Sequence, residues 1–483
     1  MSDTSLVGLR VVADASLKRH GAGTVLMGGS PLRVMRVTEN GARLVDRLLA
    51  GEAVPDSNAA ATLTRRLLDG GLVHPIAIDG PFTPADVTVV IPVRGELPPR
   101  LVHSVGRVAR IIVIDDNSSV PVETPTRTDD GVPITLHRRA VHGGPAAARN
   151  TGLDAVTTAL VAFIDADCEP EPSWLDALLP LFADEQVALV APRIVPTEPV
   201  GAQSVLARFE HHRSALDLGD DAARVRARTR VSYVPSAAMV ARTEVLRSLD
   251  GFDDEMQVGE DVDLVWRLDE SDWSVRYQPT ARVAHRHRTR PLAWARRRFD
   301  YGTSAGPLAL RHPGALAPVE TSTWSIATWA LAASGHLISA TGVAGATAVM
   351  LSKKLESLDH PLPVAAQLAG LGHLSVGRSF AQALLRPFWP ITLALGVLIP
   401  NRRFRLTLVA AALAPSVIDW VRQRPDLDPV SFVACRVADD VTYSAGVWVG
   451  ALRAGTLDPL TPELVSWPKP GRYTRWREGR RVV

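Results

Sequence analysis

Cysteine is almost absent from this chain of 483 residues. Cys168 and Cys435 stand alone, and two distant cysteines can form neither a disulfide framework nor a cysteine-based zinc site. The first twenty residues also lack an apolar core of signal-peptide length behind a basic start. We therefore expect the first half of the chain to work in the reducing cytoplasm.

An excess of charge of one sign is lacking as well. The chain has 53 Lys and Arg against 51 Asp and Glu, for a formal net charge of +2. Because nucleic-acid binders usually carry a concentrated basic excess, we expect no nucleic-acid partner. The hydrophobic share of 46% and the charged share of 22% are ordinary for a folded protein with a core, which excludes disordered, collagen-like and coiled-coil classes.

Residues 1–80 predict a small winged-helix-like α+β domain. Its expected elements are two short β-like runs within 24–37, a helix from Thr38 through Ala50, a second helix after Ser57 or Asn58, and a wing strand at 72–75. No basic recognition helix stands out among them, so this domain is expected to dock or pack rather than to bind DNA.

From Asp86 onward the pattern alternates between strand and helix. Continuous apolar runs at 87–93, 110–116 and 160–167 are typical of strands buried on both faces of a parallel sheet. Between the last two, residues 143–157 begin with glycines and become helical. This alternation predicts an α/β nucleotide-binding domain over 86–310, with its crevice beyond the carboxyl ends of the strands.

Residues 320–483 form an apolar region that is predicted to be helical and membrane-associated. Residues 324–351 contain no Asp, Glu, Lys or Arg, and as one helix they would extend about 42 Å against a hydrocarbon core of about 30 Å. Shorter apolar stretches follow at 387–400 and 406–418. Arginine-rich segments lie at 296–298, 402–405 and 472–481. They suit anionic lipid on the cytoplasmic face of the cell membrane, and a buried helical bundle is the alternative.

Aspartates follow two of the predicted strands. Asp115 and Asp116 close one, and Asp165-Ala166-Asp167 closes another. Because side chains alternate along a strand, Asp165 and Asp167 are expected to project the same way. Two such carboxylates need a cation or a donor between them, and Mg²⁺ or Mn²⁺ would suit their hard oxygens and bridge phosphates. A solvated acidic pair at a turn is the alternative.

Further acidic and imidazole groups lie downstream. Glu260 and Asp261 open a helix predicted to begin near Gly259, where the macrodipole stabilises carboxylates. They are interpreted either as helix-capping residues or as a general base that is kept ionised. His285 and His287, which end another strand-like run, fit either a surface strand or metal ligation.

Six segments occur here in an order that is known from one enzyme family. They are VTVVIPVRGE, IIVIDDNSS, GGPAAARNTGL, VAFIDADCEPEPSWL, GFDDEMQVGEDVDLVWRL and ARVAHRHR. Over residues 86–290 the chain resembles family 2 glycosyltransferases of the GT-A fold. Because it also has a winged-helix-like N-terminal domain and an apolar C-terminal region, the chain is similar to the family 2 glycosyltransferases of the mycofactocin biosynthesis system of actinobacteria. It lacks the Q-x-x-R-W signature of processive synthases and has WARRRFDYG at 294–302 instead, which argues against processive synthesis.

The resemblance implies a role for each matching position. The implied nucleotide-sugar-binding residues are Pro92, Val93 and Glu96 at the base and ribose, Asp116 at the uracil edge, Arg149 near the diphosphate, and Asp165 near the ribose and sugar. Asp167 and His285 are implied to hold Mg²⁺ or Mn²⁺, with His287 as an alternative to His285. Asp261 is implied to be the catalytic base, assisted by Glu260.

The implied reaction moves a hexose from a nucleotide sugar, with UDP-glucose as the expected donor, onto premycofactocin, a small peptide-derived redox cofactor. Inversion would give β-linked, oligoglycosylated mycofactocin. The N-terminal unit resembles peptide-recognition domains that bind by β-augmentation, which implies docking of a precursor peptide. Three alternatives stay open, namely a membrane-associated transferase with a lipid or cell-wall polysaccharide acceptor, a nucleotidyltransferase, and a nucleotide-sugar-binding scaffold without turnover.

Overall fold

The computed structural model describes residues 6–76, 80–197, 204–287, 289–356, 358 and 360–465. The chain forms two compact units, Met1–Thr289 and Arg290–Val483. The finer domain boundaries that the sequence predicts, near residue 80 and between 310 and 320, stay predictions.

The first unit begins with two small antiparallel sheets and two helices. These are β1 (Arg10–Ala13), β2 (Lys18–His20), β3 (Val25–Gly28), β4 (Arg33–Arg36), α1 (Glu39–Leu49), α2 (Asn58–Asp69) and β5 (Val73–Ile76). Both predicted helices are confirmed, and α1 is capped by Thr38, whose Oγ1 accepts the N–H of Gly41 at 3.1 Å. The predicted wing strand is confirmed as β5, which pairs with β1, while β2, β3 and β4 form the other sheet.

A nine-stranded mixed sheet makes up the rest of the first unit. Its strands are β6 (Val87–Val93), β7 (Arg110–Asp115), β8 (Ile134–Arg138), β9 (Leu160–Ile164), β10 (Cys168–Pro170), β11 (Val187–Pro196), β12 (Ala223–Val225), β13 (Ala238–Arg242) and β14 (Ser274–His285). Its helices are α3 (Pro99–Ser104), α4 (Gly144–Asp154), α5 (Val205–His212), α6 (Thr243–Ser248) and α7 (Glu260–Glu270). The predicted α/β architecture is confirmed.

The strand order explains the apolar runs and places the crevice. The order is β10-β14-β11-β13-β9-β6-β7-β8, and β12 pairs with the first half of β14, through Val275–Tyr277. The predicted strands β6, β7 and β9 are parallel neighbours at the centre of this sheet, and β6 and β9 are almost entirely buried. The antiparallel strand β13 separates β9 from β11, a reversal that the prediction of a parallel sheet did not include. The carboxyl ends of β6, β7 and β9 therefore meet at one edge.

The second unit is mostly helical, as predicted. It contains α8 (Pro291–Thr303), α9 (Ala305–Arg311), β15 (Glu320–Thr321), α10 (Thr323–Ala333), α11 (Leu337–Lys354), α12 (Pro361–Leu385), α13 (Trp389–Leu398), α14 (Arg402–Gln423), α15 (Pro429–Ala454) and β16 (Glu463–Leu464). Residues 324–351 belong to two helices and not to one, because the backbone turns at Gly335, with φ of +84°, and separates α10 from α11.

The apolar region of the second unit contains one helix that could cross a membrane by its length and composition. Within the described part of the chain, α14 alone is long and apolar enough by itself, and 22% of its apolar window is buried. Helices α12 and α13 are long and apolar enough to cross a membrane only when they are taken together, and the chain bends by 80° between them. These features suggest membrane association only weakly. The arginine-rich segment predicted at 472–481 lies outside the described residues.

Glycines let α8 and α15 approach until their backbones touch. A Cβ at Gly446 would overlap the carbonyl oxygen of Phe299, and one at Gly302 would overlap that of Tyr443. In both cases the obstacle is backbone, which cannot move aside as a flexible side chain can. This close packing holds α8 against α15 within the second unit.

Replacing Gly446 by alanine is expected to lower the unfolding free energy of the second unit by about 1–3 kcal/mol, the usual range for overpacking. Gly342→Ala is a matched control, since Gly342 also lies within a helix but a Cβ there meets nothing within 4 Å. The control should be neutral or slightly stabilising because alanine favours helix. Thermal unfolding of both variants tests this, and equal midpoints would contradict the close backbone contact.

Candidate active site

Arg149 lies at the centre of an acidic cluster at the carboxyl edge of the sheet. It belongs to α4, and only 2% of it is exposed. Its Nη2 donates to Oδ1 of Asp165 at 2.6 Å, and its Nη1 donates to Oε1 of Glu260 at 2.8 Å. Its Cζ lies 5.4 Å from the ring centroid of Phe252. The structure therefore brings together three of the predicted site residues, from α4, the end of β9 and the start of α7.

The cluster contains more acid than base. Burial alone would lower the pKa of the Arg149 guanidinium, but the charges of Asp165 and Glu260 raise it above its ordinary value. The Arg149 guanidinium therefore stays protonated and positively charged. Burial and the neighbouring charge of Asp261 raise the pKa of Glu260 to about 7, against the opposing effect of Arg149. Glu260 therefore holds its proton more tightly than an ordinary glutamic acid does.

The raised pKa of Glu260 predicts how stability changes with pH. A carboxyl group that binds its proton more tightly when folded stabilises the fold fully below its unfolded pKa, and this stabilisation is lost as the pH rises through about 7. The free energy of unfolding should therefore fall by about 1–3 kcal/mol more between pH 5 and pH 8 in the wild type than in Glu260→Gln. Urea unfolding at a series of pH values measures this difference, and parallel curves would contradict the raised pKa.

Asp261 has the geometry of a base that is fixed in position. It follows Gly259, whose φ of +86° turns the chain into α7, and the predicted helix start is thereby confirmed. The Oδ2 of Asp261 accepts the N–H of Ser236 at 3.1 Å, and its Oδ1 accepts the N–H of Val262 at 2.8 Å. Burial raises the pKa of Asp261, whereas these backbone donors and Arg149 act in the opposite direction. The side chain is half-buried, so one face can still meet a substrate.

The two aspartates of the D-x-D segment diverge, which corrects the expectation that they project the same way. Strand β9 ends at Ile164, and the next residues form a tight turn closed by the N–H of Cys168 on the carbonyl of Asp165 at 3.0 Å. Strand alternation therefore no longer applies. Asp165 binds Arg149, whereas Asp167 faces His285, whose Nε2 is 3.5 Å from its Oδ2.

The pairing of β10 with β14 places His285 beside Asp167. Cys168, the first residue of β10, is the direct partner of His285 in this antiparallel pair. His287 lies farther along, with its ring 5.3 Å from that of His285 and its Nδ1 4.0 Å from Oε2 of Glu210. Asp167 and His285 are thus near enough to share a cation. Over the described ranges of the chain, no group of three or more His, Cys, Asp or Glu gathers as a metal site.

Asp116 already has backbone partners at the position implied for the uracil edge. Its carboxylate accepts the N–H groups of Gly143 at 3.0 Å and Gly144 at 2.9 Å, and it lies 2.6 Å from Nδ1 of His142. Its neighbour Asp115 is buried, and backbone donors and Arg138 lower the pKa of that carboxyl against the effect of burial. Asp116 therefore joins the end of β7 to the start of α4.

The remaining predicted nucleotide-binding residues differ in exposure. Pro92 is half-buried and Glu96 is exposed. Val93 is 2% exposed, its side chain packs in the core, and its carbonyl accepts the N–H of Asp116 at 2.9 Å. The side chains of Pro92 and Glu96 are thus accessible, whereas that of Val93 packs in the core. The nucleotide-binding roles implied for all three residues stay predictions.

Three contributors to the site were missed from the sequence. His142 binds Asp116, Ser236 donates its backbone N–H to Asp261, and Phe252 lies beneath Arg149. His142 precedes the glycines that begin α4, and that adjacency was a usable signal. Ser236 and Phe252 offered none, because a backbone donor and a core aromatic residue look the same at many positions of a sequence.

Comparison with known proteins identifies the family of this chain. The model of the family Glycosyl transferase family 2 matches residues 88–247. The pre-mycofactocin glycosyltransferase of Mycobacterium tuberculosis is 38% identical over 469 residues, which cover 95% of this chain and 98% of that protein. The probable N-acetylgalactosaminyltransferase 9 of Caenorhabditis elegans is 24% identical over 216 residues, or 38% of this chain and 36% of that protein.

Solved structures show weaker similarity. The mannosyltransferase PcManGT of Pyrobaculum calidifontis, in complex with GDP-Man and Mn²⁺, has a TM-score of 0.34 at 16% identity and covers 70% of this chain and 89% of its own. TarS of S. aureus, in complex with UDP-GlcNAc, has a TM-score of 0.35 at 12% identity and covers 77% of this chain and 92% of its own. The full-length relative and the family match are decisive: this chain is a glycosyltransferase of family 2, with a GT-A fold, and belongs to the family of the pre-mycofactocin glycosyltransferase of M. tuberculosis.

Proposed function

We propose that this chain transfers hexose units from UDP-glucose to premycofactocin, with inversion at the anomeric carbon and with help from a divalent cation. The observation that carries this proposal is the 38% identity, over nearly the whole chain, to a pre-mycofactocin glycosyltransferase. The donor, the stereochemistry and the cation are proposed from the site residues and from the resemblance to family 2.

The proposed reaction is a single displacement in which Asp261 acts as the base. Its carboxylate takes the proton of an acceptor hydroxyl, and the hydroxyl oxygen then forms a bond to the anomeric carbon. The bond from that carbon to the diphosphate breaks on the opposite face, which releases UDP and gives a β-linked product from an α-linked donor. The N–H groups of Ser236 and Val262 hold the carboxylate in place. Arg149 holds Glu260, the residue before Asp261, and Asp165 through two separate hydrogen bonds.

Asp167 and His285 are the residues that would hold Mg²⁺ or Mn²⁺. A carboxylate oxygen and an imidazole nitrogen 3.5 Å apart fit such a cation, and Nδ1 of His285 is buried with no hydrogen-bond partner among the residues described. Bound there, the cation would neutralise charge on the diphosphate leaving group. His287 stays an alternative, although its Nδ1 lies 4.0 Å from Oε2 of Glu210, whereas the contact of Asp167 is with His285.

Removal of the cation with a chelator is expected to abolish transfer, and added Mn²⁺ or Mg²⁺ should restore it. His285→Ala should raise the Mn²⁺ concentration needed for half-maximal activity by roughly 10- to 100-fold, the order of loss seen when metal sites are weakened. His287→Ala is the matched control and should change it little. Activity titrations with Mn²⁺ measure both variants. A larger effect in His287→Ala would move the metal site to His287.

The N-terminal sheet is the proposed docking site for a precursor peptide. Strand β4 is an edge strand in the order β2-β3-β4, and three of its four residues are exposed. An edge strand can accept a further strand through its backbone groups. Titration of the full chain with the precursor peptide, followed by fluorescence anisotropy, tests this docking. Lack of binding would remove the peptide from the list of partners without affecting the transfer reaction.

A second candidate acceptor is a lipid or a cell-wall polysaccharide at the cytoplasmic face of the membrane. It is favoured by large apolar side chains that are strongly exposed in the second unit, among them Ile338 and Leu398. Helix α14 adds to this, because it is long and apolar enough to cross a bilayer. The same features also suit a membrane-bound enzyme with a soluble acceptor. They therefore say more about where the enzyme is located than about which acceptor it glycosylates.

The test combines purified full chain, Mn²⁺, a panel of UDP-sugars and premycofactocin, with products followed by mass spectrometry. Successive hexose additions to premycofactocin, largest with UDP-glucose and lost in Asp261→Asn, are expected. Hydrolysis of the donor with no change in premycofactocin, together with sugar incorporated into a lipid extract, would overturn the proposed acceptor and favour the second candidate.

A further inference from the structure

A buried arginine without a partner lies where the N-terminal helix α2 meets the large sheet. Arg276, in β14, is 2% exposed. Its Nε, Nη1 and Nη2 are all buried, and none has a hydrogen-bond partner among the described residues. Buried polar groups are nearly always paired, and a buried charge is costly unless an opposite charge meets it. The described residues therefore supply Arg276 with no hydrogen-bond acceptor.

The neighbouring carboxylates are already paired with other arginines. Both oxygens of Asp184 accept from Arg65 of α2, at 2.8 and 2.7 Å, and Asp69 of α2 pairs with Arg224 of β12. Arg224 is also the direct cross-strand partner of Arg276, and like charges in that position repel. A third carboxylate, Asp269, contacts Arg224 at 3.5 Å and is bound by Arg226 at 3.0 Å. These carboxylates are thus bound to other arginines, which leaves the positive charge of Arg276 without a counterpart of its own among the described residues.

Arg276 nevertheless stays charged at neutral pH. Burial, together with the nearby charges of Arg224 and Arg65, lowers the pKa of the Arg276 guanidinium to about 10, despite the opposing charges of Asp184 and Asp69. Loss of the proton is therefore not the way in which this buried charge is relieved.

Two buried hydroxyl groups extend the set of donors. The Oγ of Ser274 and the Oγ1 of Thr64 are both buried without a hydrogen-bond partner in the described structure. Ser274 is two residues before Arg276 in β14, so both side chains project from the same face of the sheet. Thr64 precedes Arg65 in α2, the helix that covers this region. Hydroxyl groups can turn their protons toward an anion.

We propose that Arg276 binds a small monovalent anion of the size of chloride, enclosed between α2 and the strands β12 and β14. The guanidinium supplies the charge, and the hydroxyls of Ser274 and Thr64 serve as further donors. One uncompensated positive charge matches one negative charge, whereas a divalent oxyanion would bring a second charge that no buried cation balances. The anion completes the contact between α2 and the sheet and is independent of the sugar-transfer site.

The test measures thermal unfolding of the full chain as chloride replaces gluconate at constant ionic strength. A ligand that binds only the folded state raises the unfolding midpoint, so the wild type should gain a few degrees in chloride. Arg276→Met should lose this gain. Arg193→Met is the matched control, because Arg193 lies in the same sheet but is paired with Asp217 at 2.7 and 2.8 Å. It should keep the full gain in chloride.

Bromide provides a second test that needs no variant. Crystals of the wild type soaked in bromide should give an anomalous peak within contact distance of the Arg276 guanidinium. Equal midpoints in chloride and gluconate, or bromide crystals without a peak at this position, would overturn the proposal and assign Arg276 to ordered water instead. If Arg276→Met does not fold, the chloride series of the wild type and the bromide crystals still decide the question.

Discussion

Asp261→Asn is expected to lower kcat by about 10²- to 10⁴-fold, the usual contribution of a general base. The amide oxygen of asparagine can still accept the N–H of Ser236, which bonds Asp261 at 3.1 Å, and only the N–H of the adjacent Val262 loses its acceptor. The helix start at α7 should therefore keep its conformation. An amide cannot take the proton of the acceptor hydroxyl. Transfer should therefore be lost while the binding of the UDP-sugar is retained.

Two measurements separate this effect from a loss of structure. Initial rates of hexose transfer give kcat, and calorimetric titration with the UDP-sugar gives the dissociation constant for the donor. Glu244→Gln makes the same change from acid to amide at an exposed position in α6 and should leave both quantities unchanged. An Asp261→Asn enzyme that keeps most of its kcat would remove Asp261 from the role of base.

Arg149→Met is expected to lower the unfolding free energy of the first unit by about 3–5 kcal/mol, the usual cost of removing one partner from a buried ion pair. Arg149 is buried and binds both Asp165 and Glu260. Without it, these carboxylates and Asp261 would repel each other in a region with little water. Transfer should be lost as well, because Glu260 and Asp165 would no longer be held in position.

A double variant tests the cause of this destabilisation. Glu260→Gln in the Arg149→Met background removes one of the unbalanced charges, so it should recover part of the lost stability. Urea unfolding of the single and double variants measures the recovery. Arg47→Met is the control, since Arg47 forms an exposed pair with Glu52 and should cost less than about 1 kcal/mol. A double variant no more stable than Arg149→Met would contradict the proposed charge balance.

The features of the site that could be predicted from the sequence are local ones. The starts of α1 and α7 and the strands β6, β7 and β9 follow from short-range rules of capping, glycine conformation and apolar runs. The same rules failed at the D-x-D segment, because strand alternation ends where β9 ends, at Ile164. They also did not show that residues 324–351 form two helices, which one glycine with positive φ separates.

By itself, the sequence determined the family and the α/β class and proposed Asp261, Asp167 and Glu260 as site residues, because ordered motifs and strand ends are visible in short segments of the chain. Tertiary structure alone decided the partners of these groups. Arg149 meets Asp165 and Glu260 across 16 and 111 residues of sequence, and Arg65 meets Asp184 across 119. Such pairs depend on the order of the strands and on how the helices pack against them. Both are set by the burial of apolar side chains over the whole core, so a local pattern of residues cannot predict them.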